Sequence, residues 1–127
     1  LDLRADDHLH LVVAYTHLSA HDRTTGAPLP RRPKNTASAD VDWQSPWGVR
    51  LGANLRWASS SVDTDFQIYQ RIKLHGYTLT GLRASYPLSE KVELYGRIEN
   101  LFNTHYETVS GYGIYGRTAH LGVRVRL

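Results

Sequence analysis

Apolar and polar residues alternate along most of this chain with a period of two, the pattern of β-strands that have one apolar and one polar face. In the stretch 36–44, Ala37, Ala39, Val41 and Trp43 fall on one face, and every intervening residue is polar. The same alternation predicts strands over residues 8–18, 36–44, 49–57, about 77–86, 91–101 and 117–127. No stretch predicts a helix, so the fold class is all-β with six antiparallel strands.

The connections between these strands fall into two length classes that alternate. Short turns lie at 45–48 and 87–90, whereas 19–35, 59–75 and the glycine-rich stretch after residue 101 are long. We predict that 59–75 is a loop with ragged strand ends near residues 66–72. Antiparallel outer-membrane barrels have short turns on one side and long loops on the other, with strands of about 9–11 residues. The pattern therefore favours a transmembrane β-barrel segment.

Aromatic residues on the apolar face support this prediction. Tyr15, Trp43, Trp57 and Tyr86 lie near strand ends, where barrels carry aromatic girdles at the two membrane interfaces. A small soluble antiparallel domain that binds ligands is the alternative, because strands of a soluble sandwich or barrel also alternate. An outer-membrane barrel enzyme is a second alternative.

Composition excludes little by itself. The length of 127 residues suits one domain, and a hydrophobic fraction of 41% is compatible with either a soluble protein or a barrel. There is no cysteine and hence no disulfide or thiolate site. There is no methionine either, so we expect a processed chain or a fragment. The formal charge of +3 is spread over many strands among acidic residues, which argues against nucleic-acid binding.

Candidate catalytic and metal-binding residues are scattered. Acidic residues and histidines of the loops lie in separate segments without a nucleophile signature, so we expect no catalytic site. His8 and His10 share one face, but a structural zinc site needs four ligands. We expect solvated histidines, no metal site and no cofactor.

An ordered set of short motifs lies between the last two predicted strands. In chain order these are Glu99-Asn100-Leu101-Phe102-Asn103, Tyr106-Glu107, Gly111-Tyr112 and Gly116-Arg117. Their order and spacing resemble the carboxyl end of TonB-dependent outer-membrane receptors, where a run of the type N-L-F-[DN]-x-x-Y-[ED] precedes a glycine-containing loop, G-R and a final strand. The loop segment Leu29-Pro30-Arg31-Arg32-Pro33 also resembles this family, although Asn35 stands where histidine is usual.

The resemblance implies that residues 1–127 are the carboxyl-terminal part of such a barrel, about the last six of 22 strands, with the plug domain absent from this chain. The parent would lie in the outer membrane of a Gram-negative bacterium and take up iron-siderophore or cobalamin-type ligands with energy passed on by TonB. Its partners would include outer-membrane lipid, lipopolysaccharide and the barrel-assembly machinery. That machinery is thought to read a terminal aromatic, and Leu127 stands there instead. This chain alone should not transport.

Ligand-binding candidates lie in the predicted outer loops. Arg31, Arg32 and Lys34 form the densest cationic patch and could attract an anionic siderophore or lipopolysaccharide phosphates, although an ordinary solvated loop is the alternative. Tyr112 and Tyr115 could stack on a ligand. The run 106–112 most resembles the cobalamin and catecholate-siderophore branch of the family. The structural motif is expected to comprise Asn100, Leu101, Phe102, Asn103, Tyr106, Gly116 and Arg117.

Overall fold

The computed structural model describes residues 1–65 and 67–126, which form one antiparallel sheet of seven strands and two separate hairpins. The strands are β1 (Asp2–Arg4), β2 (Leu9–His17), β3 (Asn35–Gln44), β4 (Arg50–Ala58), β5 (Ser61–Asp65), β6 (Gln70–Leu74), β7 (Tyr77–Pro87), β8 (Val92–Glu99), β9 (Glu107–Val109), β10 (Tyr112–Gly113) and β11 (Thr118–Val125). Their order in the large sheet is β1-β2-β3-β4-β7-β8-β11, and β5–β6 and β9–β10 are the hairpins.

The six long strands confirm the predicted all-β antiparallel arrangement, with ends that differ by a few residues. Leu127, which the pattern assigns to the last strand, lies outside the described residues. The alternation did not predict β1, because three residues are too few to show a period; it pairs with β2, with Leu3 opposite Leu11.

The prediction of a loop over 59–75 is wrong. Residues Ser61–Asp65 and Gln70–Leu74 pair as a regular hairpin, with Val62 opposite Lys73 and Asp63 opposite Ile72. The hairpin carries few apolar residues, so it lacks the signal of a membrane strand. Its order comes instead from contacts with another loop, where the backbone N–H of Arg31 donates to the carbonyl of Val62 (2.7 Å).

The strand register separates the sheet into one apolar and one charged face. Directly paired residues form continuous rows across neighbouring strands. One apolar row runs Leu11, Val41, Ala53, Leu82, Ile98, Ala119. The adjacent row on the other face runs His10, Asp42, Gly52, Arg83, Arg97, His120. A shift of one residue on any strand would move charges into the apolar face.

The apolar face is not covered by any other layer of the described chain. In the described chain the buried apolar residues are Ala58 on the charged face and Leu74 in the β5–β6 hairpin, whereas on the apolar face Leu121 is 80% exposed and Trp43 and Trp57 are more than one-third exposed. A soluble sandwich would bury this face against a second sheet. The single layer therefore requires an apolar environment outside the chain, as a membrane barrel does.

Aromatic side chains mark both ends of this face. The row that contains Tyr15, Ala37 and Trp57 lies at one end, and Trp43 and Tyr86 lie toward the other. Ala37 and Trp43 are six positions apart on β3, which is about 20 Å of extended chain. Separately, no helix in the described ranges 1–65 and 67–126 is long and apolar enough to cross a membrane.

We predict that Val13→Arg destabilises the folded barrel by roughly 2–4 kcal/mol, because Val13 lies in the apolar face between the two aromatic rows. Its neighbour Val12 provides the matched control, since it is the same residue type on the charged face, paired with Asp40. Equilibrium unfolding in lipid vesicles of the protein that contains these strands measures both variants. Equal losses for Val12→Arg and Val13→Arg would contradict the assignment of the two faces.

Candidate binding site in the outer loops

Three long connections leave the same edge of the sheet and meet beyond it. We call them the first loop (residues 18–34), the second loop (59–76) and the third loop (100–117). The short turns at 45–49 and 88–91 and the β1–β2 turn lie at the opposite edge. Because every long connection is on one edge, any site built from loops must lie there.

The carboxylate of Asp63 links all three loops. Asp63 belongs to the second loop and is only 1% exposed. Its Oδ1 accepts hydrogen bonds from Nε of Arg31 in the first loop (2.9 Å) and from the backbone N–H of Thr64 (2.8 Å). Its Oδ2 accepts from the backbone N–H of Ser110 in the third loop (2.8 Å). A buried carboxylate with an ionic partner and two backbone donors is well compensated for its loss of water.

These contacts decide the charge state of Asp63. Burial alone would raise the pKa of its carboxyl group. The backbone N–H groups of Ser110 and Thr64, together with the Arg31 guanidinium, outweigh burial and hold the pKa below its ordinary value of 3.8. Asp63 is therefore ionised at neutral pH, as the pairing with Arg31 requires.

Further bonds join the first loop to the second. The backbone N–H of Arg31 donates to the carbonyl of Val62 (2.7 Å), and the guanidinium of Arg71 donates to the carbonyl of Pro28 (3.1 Å). Within the first loop, Leu29 N–H donates to the carbonyl of Ala20 (3.0 Å). These bonds hold the two loops together.

The predicted cationic patch divides into two parts. Arg31 is engaged with Asp63, whereas Arg32 and Lys34 line a cavity between the first and second loops. Lys73 of the second loop lines the same cavity, and the sequence reasoning missed it because residues 59–75 were predicted to be irregular. Only the hairpin register brings Lys73 to this position.

The two candidate tyrosines lie elsewhere, on the third loop. Tyr112 is 73% exposed and Tyr115 is 88% exposed, and neither lines the cavity with Arg32 and Lys34. The structure thus does not bring the predicted cations and tyrosines into one pocket within the described residues. They form two separate candidate contacts.

The motif residues of the third loop make a set of local bonds. Asn100 is buried and has a positive φ of 50°, and its side chain accepts from the Thr104 N–H (2.8 Å) and donates to the Thr104 carbonyl (2.9 Å). Leu101 N–H donates to the carbonyl of Thr80 on β7 (2.8 Å). Phe102 is 73% exposed and packs into no core. These bonds end β8 and turn the chain outward.

Asn103 and Gly116 fix the return of the chain toward β11. Oδ1 of Asn103 accepts from the backbone N–H of Arg117 (2.9 Å). A Cβ on Gly116 would lie 2.5 Å from that same oxygen, so only glycine leaves the bond undisturbed.

The ring of Tyr106 packs on that of Tyr77 with centroids 4.3 Å apart. Burial, and to a lesser extent Tyr77, raise the pKa of Tyr106.

The charged face of the sheet carries ion pairs between strands. Glu93 is buried, with its carboxylate 3.1 Å from Arg124 and within 4 Å of Arg50. Arg83 contacts Asp42 at 2.6 Å. Charges on this face that pair between strands are consistent with a wet barrel interior.

The described residues contain no group of three or more histidine, aspartate or glutamate side chains arranged to hold a metal ion. His10 contacts the carboxylate of Asp2 at 2.7 Å. The other acidic and histidine residues considered as catalytic candidates remain dispersed, and Asp63 is committed to the loop contacts.

The family of TonB dependent receptor-like β-barrels matches residues 1–101. Solved structures of similar fold include FpvA of Pseudomonas aeruginosa bound to heterologous pyoverdines (TM-score 0.86, 17% identity, 98% of this chain and 18% of that chain). The ferric-catecholate import receptor Fiu of E. coli K12 has a TM-score of 0.79 at 19% identity over 95% of this chain and 19% of that chain. The siderophore receptor PiuA of Acinetobacter baumannii has a TM-score of 0.80 at 18% identity over 98% of this chain and 20% of that chain.

This chain belongs to the TonB-dependent receptor β-barrel family. It spans about a fifth of the length of the solved receptors that it matches. The family confirms the predicted outer-membrane location and the predicted receptor-type barrel. The open seven-stranded sheet is accordingly a segment of a larger barrel.

We predict that Asp63→Asn loosens all three loops together, because the amide keeps the size of the side chain but loses the ion pair and one acceptor oxygen. Leaving buried donors unpaired costs about 1–3 kcal/mol. Hydrogen exchange should become faster at the amides of Arg31 and Ser110 as well as in the second loop. Asp65→Asn is the control, since among the described residues the Asp65 carboxylate accepts from the nearby Gln67 N–H and reaches neither of the other two loops. Acceleration confined to the second loop would contradict the linkage.

The pH dependence of this linkage follows from the lowered pKa of Asp63. A carboxyl group with a folded-state pKa below 3.8 stabilises the loops fully above that pH, and this stability is lost as the pH falls further through the folded-state pKa. Protection of the Ser110 amide should thus be constant from neutral pH to about 4 and then decrease. The Asp63→Asn variant should lack this decrease, and a decrease of the same size in the variant would assign it to other groups.

We predict that Gly116→Ala destabilises the third loop by roughly 1–3 kcal/mol, since the added methyl group displaces Asn103 from the Arg117 N–H. Gly113→Ala is the matched control, because a Cβ there meets nothing within 4 Å. Limited proteolysis of the third loop in the intact receptor compares the two variants. Similar cleavage rates would show that the Asn103 contact does not hold the loop.

Proposed function

We propose that the receptor to which this chain belongs takes up iron-siderophore complexes across the outer membrane, with energy supplied through TonB. The observation that carries this proposal is the family membership of residues 1–101. Solved receptors of similar fold that take ferripyoverdine and ferric enterobactin support an iron chelate as the ligand class. A cobalamin-type ligand remains the second candidate, supported by the resemblance of the run 106–112 to the cobalamin and catecholate-siderophore branch of the family.

We further propose that the third loop contributes ligand contacts through Tyr112 and Tyr115. Both rings are largely exposed at the outer edge, where a chelate with aromatic groups could stack on them. Arg32 and Lys34 would add attraction for an anionic chelate before contact, an effect that salt screens over about 10 Å at 0.1 M. Arg31 acts indirectly in this proposal, by holding the first loop to Asp63.

The proposed partners are those that a barrel of this family requires. They comprise a small-molecule metal chelate, TonB in the full-length parent, the barrel-assembly machinery, and the lipid and lipopolysaccharide of the outer membrane. The exposed apolar face supports the lipid contact, because its side chains find no partner within the described chain. Asn100, Leu101, Phe102, Asn103, Tyr106, Gly116 and Arg117 serve in this proposal as a structural motif that orients the third loop.

The test is ligand uptake by cells that carry the full-length receptor as their sole iron-chelate receptor. Radiolabelled iron is supplied as ferripyoverdine or as ferric enterobactin, and labelled cobalamin is supplied in parallel. We expect accumulation of at least one iron chelate, abolished when the proton-motive force is dissipated. Uptake of cobalamin alone would assign a cobalamin-type ligand, the second candidate, to the receptor in place of an iron chelate. Absence of energy-dependent uptake of all three probes would count against the proposal.

We predict that Tyr112→Ala and Tyr115→Ala each weaken binding of the transported chelate by roughly two- to tenfold, the effect of losing one aromatic stacking contact. Trp47→Ala is the matched control, because Trp47 is an exposed aromatic residue in a turn at the opposite edge. Equilibrium binding to the purified full-length receptor measures the three variants. Unchanged affinity in both tyrosine variants would remove these residues from the site.

A further inference from the structure

A cavity of about 300 Å³ lies between the first and second loops, and its lining combines apolar residues such as Leu18, Leu29 and Val62 with three cations. Three cations contribute to it, Arg32 and Lys34 from the first loop and Lys73 from strand β6. His21, Ser60 and Ser61 add side chains that can donate hydrogen bonds. The cavity therefore concentrates donors and positive charge in a space of a few side-chain volumes.

The positive charge of this cavity is not balanced within the described part of the chain. No aspartate or glutamate lines the cavity there, and none of the three cations forms an ion pair. The neighbouring residue Arg31 is by contrast paired with Asp63. Like charges held near one another repel, so a bound anion would lower the energy of this arrangement.

The walls of the cavity are fixed by bonds outside it. The Arg31–Val62 backbone bond, the Arg31–Asp63 ion pair and the Arg71–Pro28 bond hold the first loop against the β5–β6 hairpin. Val62 pairs with Lys73, and both line the cavity, whereas Asp63 on the neighbouring position faces the loop linkage. The Val62–Lys73 pair thus contributes to the cavity from the hairpin face opposite that of Asp63.

The position of the cavity favours solution access over lipid. The bond from Leu18 N–H to the Lys34 carbonyl (2.7 Å) continues the β2–β3 ladder outward. Leu18 and Lys34 therefore follow the alternation of Thr16 and Thr36, which belong to the charged face, and both line the cavity. The cavity is a continuation of the wet side of the sheet.

We propose that this cavity binds a phosphate group. A phosphate monoester or inorganic phosphate carries about −1.5 to −2 charges at neutral pH and several strong acceptor oxygens, which match three cations and two hydroxyl groups. The volume is at the lower limit of ligand pockets, which suits a compact oxyanion. The site shares Arg32 and Lys34 with the proposed attraction of an anionic chelate, but it is separate from Tyr112 and Tyr115, and phosphate binding does not depend on which ligand the barrel imports.

The test is calorimetric titration of inorganic phosphate into the full-length receptor, purified in neutral detergent at low ionic strength without phosphate. We expect saturable binding that Arg32→Gln/Lys73→Gln weakens at least tenfold, because each cation supplies a charge-assisted hydrogen bond. Arg23→Gln/Lys91→Gln removes the same charge outside the cavity and should bind as the unaltered receptor does. No saturable binding, or an equal loss in both double variants, would overturn the proposal.

A single variant and a lipid-binding measurement complete the test. The single variant Lys73→Gln, at an exposed position, replaces the double variant if that fails to fold, and should still weaken binding by roughly tenfold. Nanodiscs that contain phosphorylated or dephosphorylated lipid A distinguish the source of the phosphate. Retention of the phosphorylated lipid alone, lost in Lys73→Gln, would support the cavity and assign its phosphate to lipid. Retention of both lipids without an effect of Lys73→Gln, together with no phosphate titration, would overturn the site.

Discussion

The structure depends first on the need to pair every backbone polar group inside a hydrocarbon layer. Water is absent there, so an unpaired N–H or C=O costs several kcal/mol, and antiparallel strands in a closed ladder are one of two solutions. Pairing alone does not choose which face meets lipid. The period-two sequence makes that choice, because the register aligns apolar residues in rows on one face and charges on the other. The absence of a covered core in the described chain is a consequence of this arrangement.

Beyond the membrane edge the constraint changes, since water is available and apolar surface is scarce. There a buried carboxylate links the three loops. Asp63 accepts bonds from the first and third loops, and the compensation for burying its charge comes from Arg31 and two backbone N–H groups. Removing any one partner leaves the others buried without a full set of bonds, so the three loops are expected to loosen together. The cationic cavity exists because this linkage positions β6 against the first loop.

The membrane strands could be predicted from the sequence because their signal is repetitive, as the alternation over 36–44 illustrates. The loop structure could not, because its determinants are single contacts between distant residues. Nothing in Ser61–Asp65 distinguishes Asp63 from Asp65 before the fold brings Ser110, 47 positions away, to its Oδ2. The same holds for Lys73, which joins Arg32 and Lys34 only through the hairpin register. The motif Asn100–Asn103 was recognisable as a family resemblance, whereas its bonds to Thr104 and Arg117 required coordinates.

The measurement that most directly tests the membrane assignment is a scan of single cysteines along β2 in the full-length receptor, made cysteine-free and reconstituted in lipid. The chain itself contains no cysteine, so each probe in this segment is unique. Spin labels at positions 10–16 are compared for collision with oxygen, which partitions into lipid, and with a water-soluble relaxation agent. If the apolar face meets lipid, labels at Leu11, Val13 and Tyr15 report lipid and those at the alternate positions report water. Water accessibility at every position, or the opposite alternation, would contradict the membrane assignment.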